Sequence, residues 1–192
     1  MVVVLAQAIF RPGFDLVHDD ASVLSNGSMG WIQIANFLLT GAMVIACAVG
    51  VRRALTSGPG ATWGPILLGV YGLGLIGAGI FIVDPMSGFP PGTPAGRPET
   101  VSMHGVLHLV FAAVGFISLA ASCMVIGQRF GGEKRQAWAW FSRLTGVLFL
   151  LGFGGLASGS DSAAVVIGFW AVLILAWSWL AAVSVNLFRR VS

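Results

Sequence analysis

Charged residues are scarce in this sequence: Asp, Glu, Lys and Arg make up 9% of its 192 residues, whereas hydrophobic residues make up 57%. A soluble globular domain is about 25% charged, so this chain has too little polar surface to remain in water. Its mean hydropathy of +0.91 agrees. The shortage also argues against nucleic-acid binding, which needs a soluble face dense in Lys and Arg. These deficits indicate an integral membrane protein.

Cysteine is rarer still, with two residues in the whole chain. Cys47 and Cys123 both fall within long apolar runs, where a free cysteine packs as a small apolar side chain. Buried thiols are therefore expected in preference to a disulfide, and they carry no information on the redox compartment.

Long apolar runs account for most of the chain. A helix needs about 20 such residues to cross the bilayer, and five runs reach that length: 31–51, 63–83, 104–126, 137–156 and 163–187. The run at 137–156 carries Arg143 near its start, where a long side chain can reach the headgroups. We predict a single integral-membrane domain over residues 1–192, an all-α polytopic transmembrane helix bundle.

The start of the chain, "MVVVLAQAIF", has only ten residues before Arg11, and nine of them are apolar. This is about half of what a span requires. Residues 1–10 are therefore a short or truncated first helix ahead of five full spans. A half-length helix and a start site assigned too late both fit. We expect the functional product to begin upstream of Met1.

Basic residues divide unequally when the spans alternate across the membrane. Eight fall on one side, and the positive-inside rule makes that side cytoplasmic. The C-terminus is therefore expected on the cytoplasmic side of the cell membrane. The eight are Arg52, Arg53, Arg129, Lys134, Arg135, Arg143, Arg189 and Arg190. The opposite side receives two bases and six acids, Arg11, Arg97, Asp15, Asp19, Asp20, Asp84, Glu99 and Asp161.

Two of the three histidines stand four residues apart in "TVSMHGVLHLVF" (100–111). His104 and His108 share one helix face, and the start of a helix favours neutral imidazole, the form that binds a metal or accepts a proton. Asp84 ends the preceding span, where its charge opposes the helix dipole and needs a partner, and the candidates are Arg11, Arg97, His108 and a bound cation. We predict that Asp84 pairs with His108 as a candidate catalytic pair. With His104 they are candidate ligands for a divalent metal such as zinc.

Further polar residues belong to the same predicted membrane face. Arg11, Asp15, Asn36 and Arg97 are candidate binding residues, and Gln33 and Asn36 either join helices by hydrogen bonds or line the pocket. Loop residues could complete the group, although solvated surface is the commoner state of such acids. These are His18, Asp19, Asp20, Ser158, Ser160 and Asp161.

Three segments carry a family resemblance: "FRPGFDLVHDDASVLSNGSMGWIQIANFLLTG", "GAGIFIVDPMSGFPPGTP" and "MHGVLHLVFAAVGF". Their ordered Arg-Pro-Gly, Gly-Trp, Asn-Phe, Asp-Pro and His blocks resemble the prokaryotic integral-membrane family called domain of unknown function nine-nine-eight. The resemblance covers nearly the whole chain and implies a six-span helical fold, with no established activity. Members have a full first helix, so this chain departs from the pattern at its N-terminus.

Three functions fit these observations. The first is binding or processing of a lipid or small amphiphile in an extracytoplasmic His/Asp pocket, with metal-assisted hydrolysis as one form of processing. In outline this is similar to the alkaline-ceramidase-like membrane hydrolases, by analogy alone. The alternatives are a proton-coupled transporter and a non-catalytic accessory membrane subunit. The expected partners are the lipid bilayer and the amphiphile, with oligomer formation left open.

Overall fold

The fold is all-helical. The structure, a computed structural model, describes residues 1–160 and 162–190, so the candidate Asp161 lies outside the described residues. Within those residues there are six α-helices and one 3-10 helix, hereafter the 3-10 segment. They are α1 Val2–Phe10, the 3-10 segment Ala21–Ser25, α2 Gly30–Ala54, α3 Trp63–Ile80, α4 Met103–Gly132, α5 Gln136–Ala157 and α6 Ala163–Phe188.

Helices α2 to α6 are each long and apolar enough to cross a membrane. They correspond to the five predicted full spans, and α1 is the predicted short first helix. The polytopic helical bundle is therefore confirmed. Three helix ends differ from the prediction by three residues or more, those of α2, α3 and α4, and α2 continues to Ala54. Helix α3 stops at Ile80, ahead of Asp84-Pro85, because proline disfavours helical geometry in the residue before it. Helix α4 continues to Gly132, and Arg129 and Glu133 pair across its last turn at 2.9 Å, which adds to its stability.

Helix α3 lies between α2 and α4, and glycine allows both neighbours to approach it closely. A Cβ atom added at Gly74 would lie 2.8 Å from the backbone of both Gly115 and Phe111 in α4. One added at Gly72 would lie 2.8 Å from the carbonyl of Gly41 in α2. Such backbone contact replaces the hydrophobic driving force that lipid does not provide between helices.

The bundle has two chemically different ends. At one end, hereafter the His108 end, Asn26 donates to the Val83 carbonyl at 3.1 Å and Trp170 donates to the Asp19 carbonyl at 3.1 Å. At the other, hereafter the Arg129 end, Arg129 donates to the Ser57 carbonyl at 2.7 Å. The eight basic residues that the sequence assigned to one side all belong to loops or helix segments nearer the Arg129 end.

Candidate functional site

A cavity of about 420 Å³ lies among the helices toward the His108 end. Its volume is within the range of pockets that hold small-molecule ligands, about 300 to 1,000 Å³. Helices α2 to α6, the start of α1 and the 3-10 segment all contribute to its wall. The polar residues of this wall are Asp20, Ser22, Gln33, Asn36, Thr40, Asp84, Arg97 and His108.

The wall changes character along the bundle axis. The charged residues Asp20, Asp84 and Arg97 come from loops and belong to the His108 end. Toward the middle of the bundle the wall is mainly apolar and aromatic and includes Phe116 and Trp177, with Asn36 and Thr40 of α2 as polar members. The cavity is therefore amphipathic, with a polar end and an apolar end.

His108 is buried, with 2% of its surface exposed, and its Nδ1 faces two carbonyl oxygens at the end of α3. These belong to Phe81, at 2.8 Å, and Ala78, at 3.0 Å. The last carbonyls of a helix have no partner within it, so His108 caps α3 from α4. Because carbonyl oxygens only accept hydrogen bonds, Nδ1 must carry the proton. In the neutral ring Nε2 is then an unprotonated acceptor, and no described residue is hydrogen-bonded to it.

Asp84 also borders the cavity but does not pair with His108. Its Oδ2 accepts a hydrogen bond of 2.9 Å from the backbone N–H of Ser102, just before α4. The carboxylate lies against Gly105, where a Cβ atom would collide with it. Within the described part of the chain, no hydrogen bond joins Asp84 to His108. The structure thus brings the two predicted residues to one cavity with different partners from those we predicted.

His104 lies outside the cavity wall, on an exposed surface of α4, with its ring 5.6 Å from the ring of Phe81. Among the described residues, no three His, Cys, Asp or Glu side chains are grouped so that they could hold a metal ion. His104, His108 and Asp84 are therefore not assembled as the predicted ligand set. A zinc site stays a prediction without geometric support.

Of the four predicted binding residues, Arg11 and Asp15 lie away from the cavity wall. Arg11 is 8% exposed and donates to the carbonyls of Leu24 and Asn26, the latter at 2.6 Å. Its guanidinium lies 4.8 Å from the centre of the Phe89 ring. Asp15 is exposed and accepts a hydrogen bond from His18 at 2.8 Å, which lowers the pKa of its carboxyl. Arg11 thus joins loops together, and Asp15 is a surface residue.

Asn36 and Arg97 do border the cavity. Asn36 donates to Oε1 of Gln33 at 3.4 Å, so it both joins a hydrogen-bond network and lines the wall. Arg97 is exposed and its guanidinium makes one long contact of 3.5 Å with the Leu156 carbonyl. No carboxylate pairs with it in the described chain, so its charge is available at the polar end of the cavity.

One acid of the first loop, which connects α1 and α2, is buried, although we expected the loop acids to be solvated. Asp19 is 2% exposed, and its Oδ2 accepts a hydrogen bond from the Asp15 N–H at 2.8 Å. Oδ1 has no partner among the described residues. Burial raises the pKa of this carboxyl. Asp20 caps the 3-10 segment by accepting from the Ser22 N–H at 2.7 Å, and it borders the cavity.

Two further residues of the wall have unused hydrogen-bonding groups. Gln33 is completely buried, and its Oε1 accepts from Gln7 at 2.9 Å, but its Nε2 has no partner in the described chain. The Ser22 hydroxyl makes no hydrogen bond within that same part. Ser22 and His108 also line a second cavity of about 20 Å³, which shares most of its wall with the first. Polarity within a span pointed to Gln33, but no signal in the sequence pointed to Ser22.

The comparisons with known proteins identify a family whose function is unknown. No curated protein and no solved structure matches the chain. One family model matches it over residues 1–186, which is nearly its whole length. This match agrees with the resemblance carried by the Arg-Pro-Gly, Asp-Pro and His blocks. The chain belongs to the family described as protein of unknown function, DUF998.

Proposed function

We propose that this protein binds a lipid or small amphiphile in the cavity at the His108 end. The observation that carries the proposal is the division of the cavity wall into a polar and an apolar end. An amphiphile has the same division, so its polar group would meet Asp84 and Arg97, and its hydrocarbon would lie beside Phe116 and Trp177. Burying hydrocarbon there stabilises a complex by roughly 25 cal/mol per Å² of apolar surface.

Charge placement supports an extracytoplasmic position for this site. Eight of the ten basic residues are nearer the Arg129 end, so the positive-inside rule assigns that end and the C-terminus to the cytoplasm. The cavity would then open toward the outer leaflet of the cell membrane. A ligand drawn from that leaflet already has its headgroup and its hydrocarbon arranged as the two ends of the cavity require.

Cysteine labelling of intact cells tests the orientation. In a chain with Cys47 and Cys123 replaced by Ala, a single cysteine is placed at Thr100 or at Ser57 and treated with a membrane-impermeant maleimide. We expect Thr100→Cys to react in intact cells and Ser57→Cys only after the cells are broken. The reverse pattern would move the cavity to the cytoplasmic leaflet.

A cavity-filling substitution tests binding itself. Ala113 borders the cavity, whereas its neighbour Val114 does not and is 50% exposed on the outside of the bundle. We expect the purified wild-type protein to retain a fluorescent single-chain acyl probe in mild detergent. Ala113→Trp should release the probe and the matched control Val114→Trp should keep it. Equal retention by both variants, with unchanged melting temperatures, would contradict the proposal.

A further inference from the structure

We infer that Ser22 and His108 form a serine–histidine pair that cleaves a carboxylic ester in the bound amphiphile. This inference depends on the proposed amphiphile site and adds a reaction to it. It uses three groups of the cavity wall: an unengaged hydroxyl, an imidazole of defined tautomer, and a buried amide donor. In the reaction these act as nucleophile, general base and oxyanion donor respectively.

The orientation of His108 is that of a general base. A serine hydroxyl becomes a nucleophile when a neutral imidazole nitrogen accepts its proton, while a third group holds the other ring nitrogen. Here the carbonyls of Phe81 and Ala78 hold Nδ1–H, at 2.8 Å and 3.0 Å. The ring edge of His108 also meets the Phe37 ring, with 6.1 Å between the ring centres. These contacts restrict the imidazole and leave Nε2 able to accept a proton.

The position of Ser22 suits a nucleophile beside that base. Its backbone is held on both sides, because its N–H donates to Asp20 at 2.7 Å and its carbonyl accepts from the Ser25 hydroxyl at 2.6 Å. Its own hydroxyl has no partner among the described residues. Ser22 and His108 both line the 20 Å³ cavity, which has room for about one water molecule. A proton can pass between them through that one molecule.

Gln33 supplies the third group. A buried donor without a partner costs about 1 to 3 kcal/mol, so such groups are rare unless a ligand completes them. Nε2 of Gln33 is in this state, and Gln33 is one of the residues that border the large cavity. An N–H donor in a dry site stabilises the negative oxygen that forms when a carbonyl is attacked. Gln33 would bind that oxygen, and its bond from Gln7 would hold the amide in position.

The reaction balances with water as the only co-reactant. Ser22 Oγ bonds to the ester carbon as its proton moves to Nε2 of His108. The bond from carbon to the alcohol oxygen then breaks, and the alcohol leaves with that proton. Water attacks the acyl-serine and gives a proton to Nε2, and the carboxylic acid leaves as Ser22 regains its proton. A cavity of this size favours a single-chain ester with a polar alcohol group.

Reaction with an alkyl fluorophosphonate tests the inference, because this probe phosphonylates only activated serines. The full chain in mild detergent is labelled and then digested, and the modified residue is identified by peptide mass. We expect modification at Ser22, and the result is read from the wild-type protein without depending on the folding of a variant. Absence of modification at Ser22, in a preparation that binds the acyl probe, would overturn the inference and leave the proposed binding function intact.

Variants then assign the roles. We expect Ser22→Ala to abolish labelling while keeping the acyl probe bound, and the exposed Ser28→Ala to label like wild type. His108→Gln should slow labelling about 100-fold or more, the usual contribution of a general base. The matched control His104→Gln, on an exposed helix surface, should not slow it. Equal rates for the two histidine variants would exclude His108 as the base.

Discussion

The two ends of the bundle use their polar groups differently. At the Arg129 end, Glu133 pairs with Arg129 at 2.9 Å and with Arg190 at 2.8 Å, so charges satisfy one another. At the His108 end, Nε2 of Gln33, Oε1 of Gln7 and Oδ1 of Asp19 are buried without hydrogen-bond partners in the described chain, whereas the one such atom at the Arg129 end, Nε of Arg129, lies in the ion pair with Glu133. Leaving such groups unpaired costs stability. This difference fits the proposed function, in which the Arg129 end holds the helices together and the His108 end receives a ligand.

The largest effect is expected where helix packing supports both ends. Gly74→Val would push side-chain atoms into the backbone of Gly115 and Phe111, which lie 2.8 Å from the first added atom. Overpacking of this kind typically costs about 1 to 3 kcal/mol, occasionally more. We expect the upper part of that range in a detergent melting series, with loss of acyl-probe binding. Gly69→Val is the control, since a Cβ there meets nothing within 4 Å.

Removing the imidazole tests the His108 end alone. His108→Ala leaves the Phe81 and Ala78 carbonyls without their donor, which should cost about 1 to 3 kcal/mol. Asp84→Asn keeps an acceptor for the Ser102 N–H, so it should cost less. Because the two residues have separate partners, the double variant should equal the sum of the singles within about 0.5 kcal/mol. Coupling well above that would restore the direct pair that the sequence suggested.

Glu133→Gln examines the paired charges of the Arg129 end. The hydrogen bond from Arg190 lowers the pKa of the Glu133 carboxyl below its usual 4.5. When the pKa of a carboxyl is lower in the folded state than in the unfolded state, its ionised form stabilises the fold. This stabilisation is present above the unfolded-state pKa and is lost as pH falls through the folded-state pKa. We expect the variant to lose about 0.2 to 1 kcal/mol at pH 7. Melting curves of both proteins should converge in acid, and a constant difference would contradict this assignment.

Asp19→Asn should change stability in the opposite direction. Burial raises the pKa of the Asp19 carboxyl above 3.8, so the folded protein is penalised once pH rises through that range. Asparagine keeps the acceptor for the Asp15 N–H and removes the charge. We expect a small increase in melting temperature at pH 7 that disappears below about pH 3.8, the ordinary value. A decrease at pH 7 would show that the buried carboxylate has a partner.

Most of the fold was predictable because a bilayer imposes length and hydropathy on each span. The predicted and observed helix ends differ where local interactions, and not hydropathy, determine where a helix ends. Residues 81–83 are apolar and were assigned to the third span, yet the chain leaves the helix there, because Asp84-Pro85 follows. The last turn of α4 contains polar residues and is stabilised by the pair of Arg129 and Glu133, whereas the prediction from hydropathy ends with the apolar run at residue 126.

The site was predictable only in part. The burial of His108 followed from its depth in a span, but its partners are carbonyl oxygens, which every residue has and which leave no mark in a sequence. Asp84 was predicted to pair with it because the Asp84 charge opposes the dipole of the preceding helix and needs a partner. Ser22 gave no signal, because the short 3-10 segment that directs it inward has no hydrophobic periodicity.

The contacts of Arg11 bear on how a ligand would reach the cavity. The Arg11 side chain holds two carbonyls of the first loop and the Phe89 ring of the third, and Asn26 joins the same two loops at Val83, so these loops are fastened to each other at the His108 end. Loops joined in this way favour entry of the ligand between helices, from ligand molecules that are already dissolved in the leaflet. We then expect occupancy to follow the mole fraction of ligand in the membrane, and to be insensitive to its concentration in water at constant mole fraction.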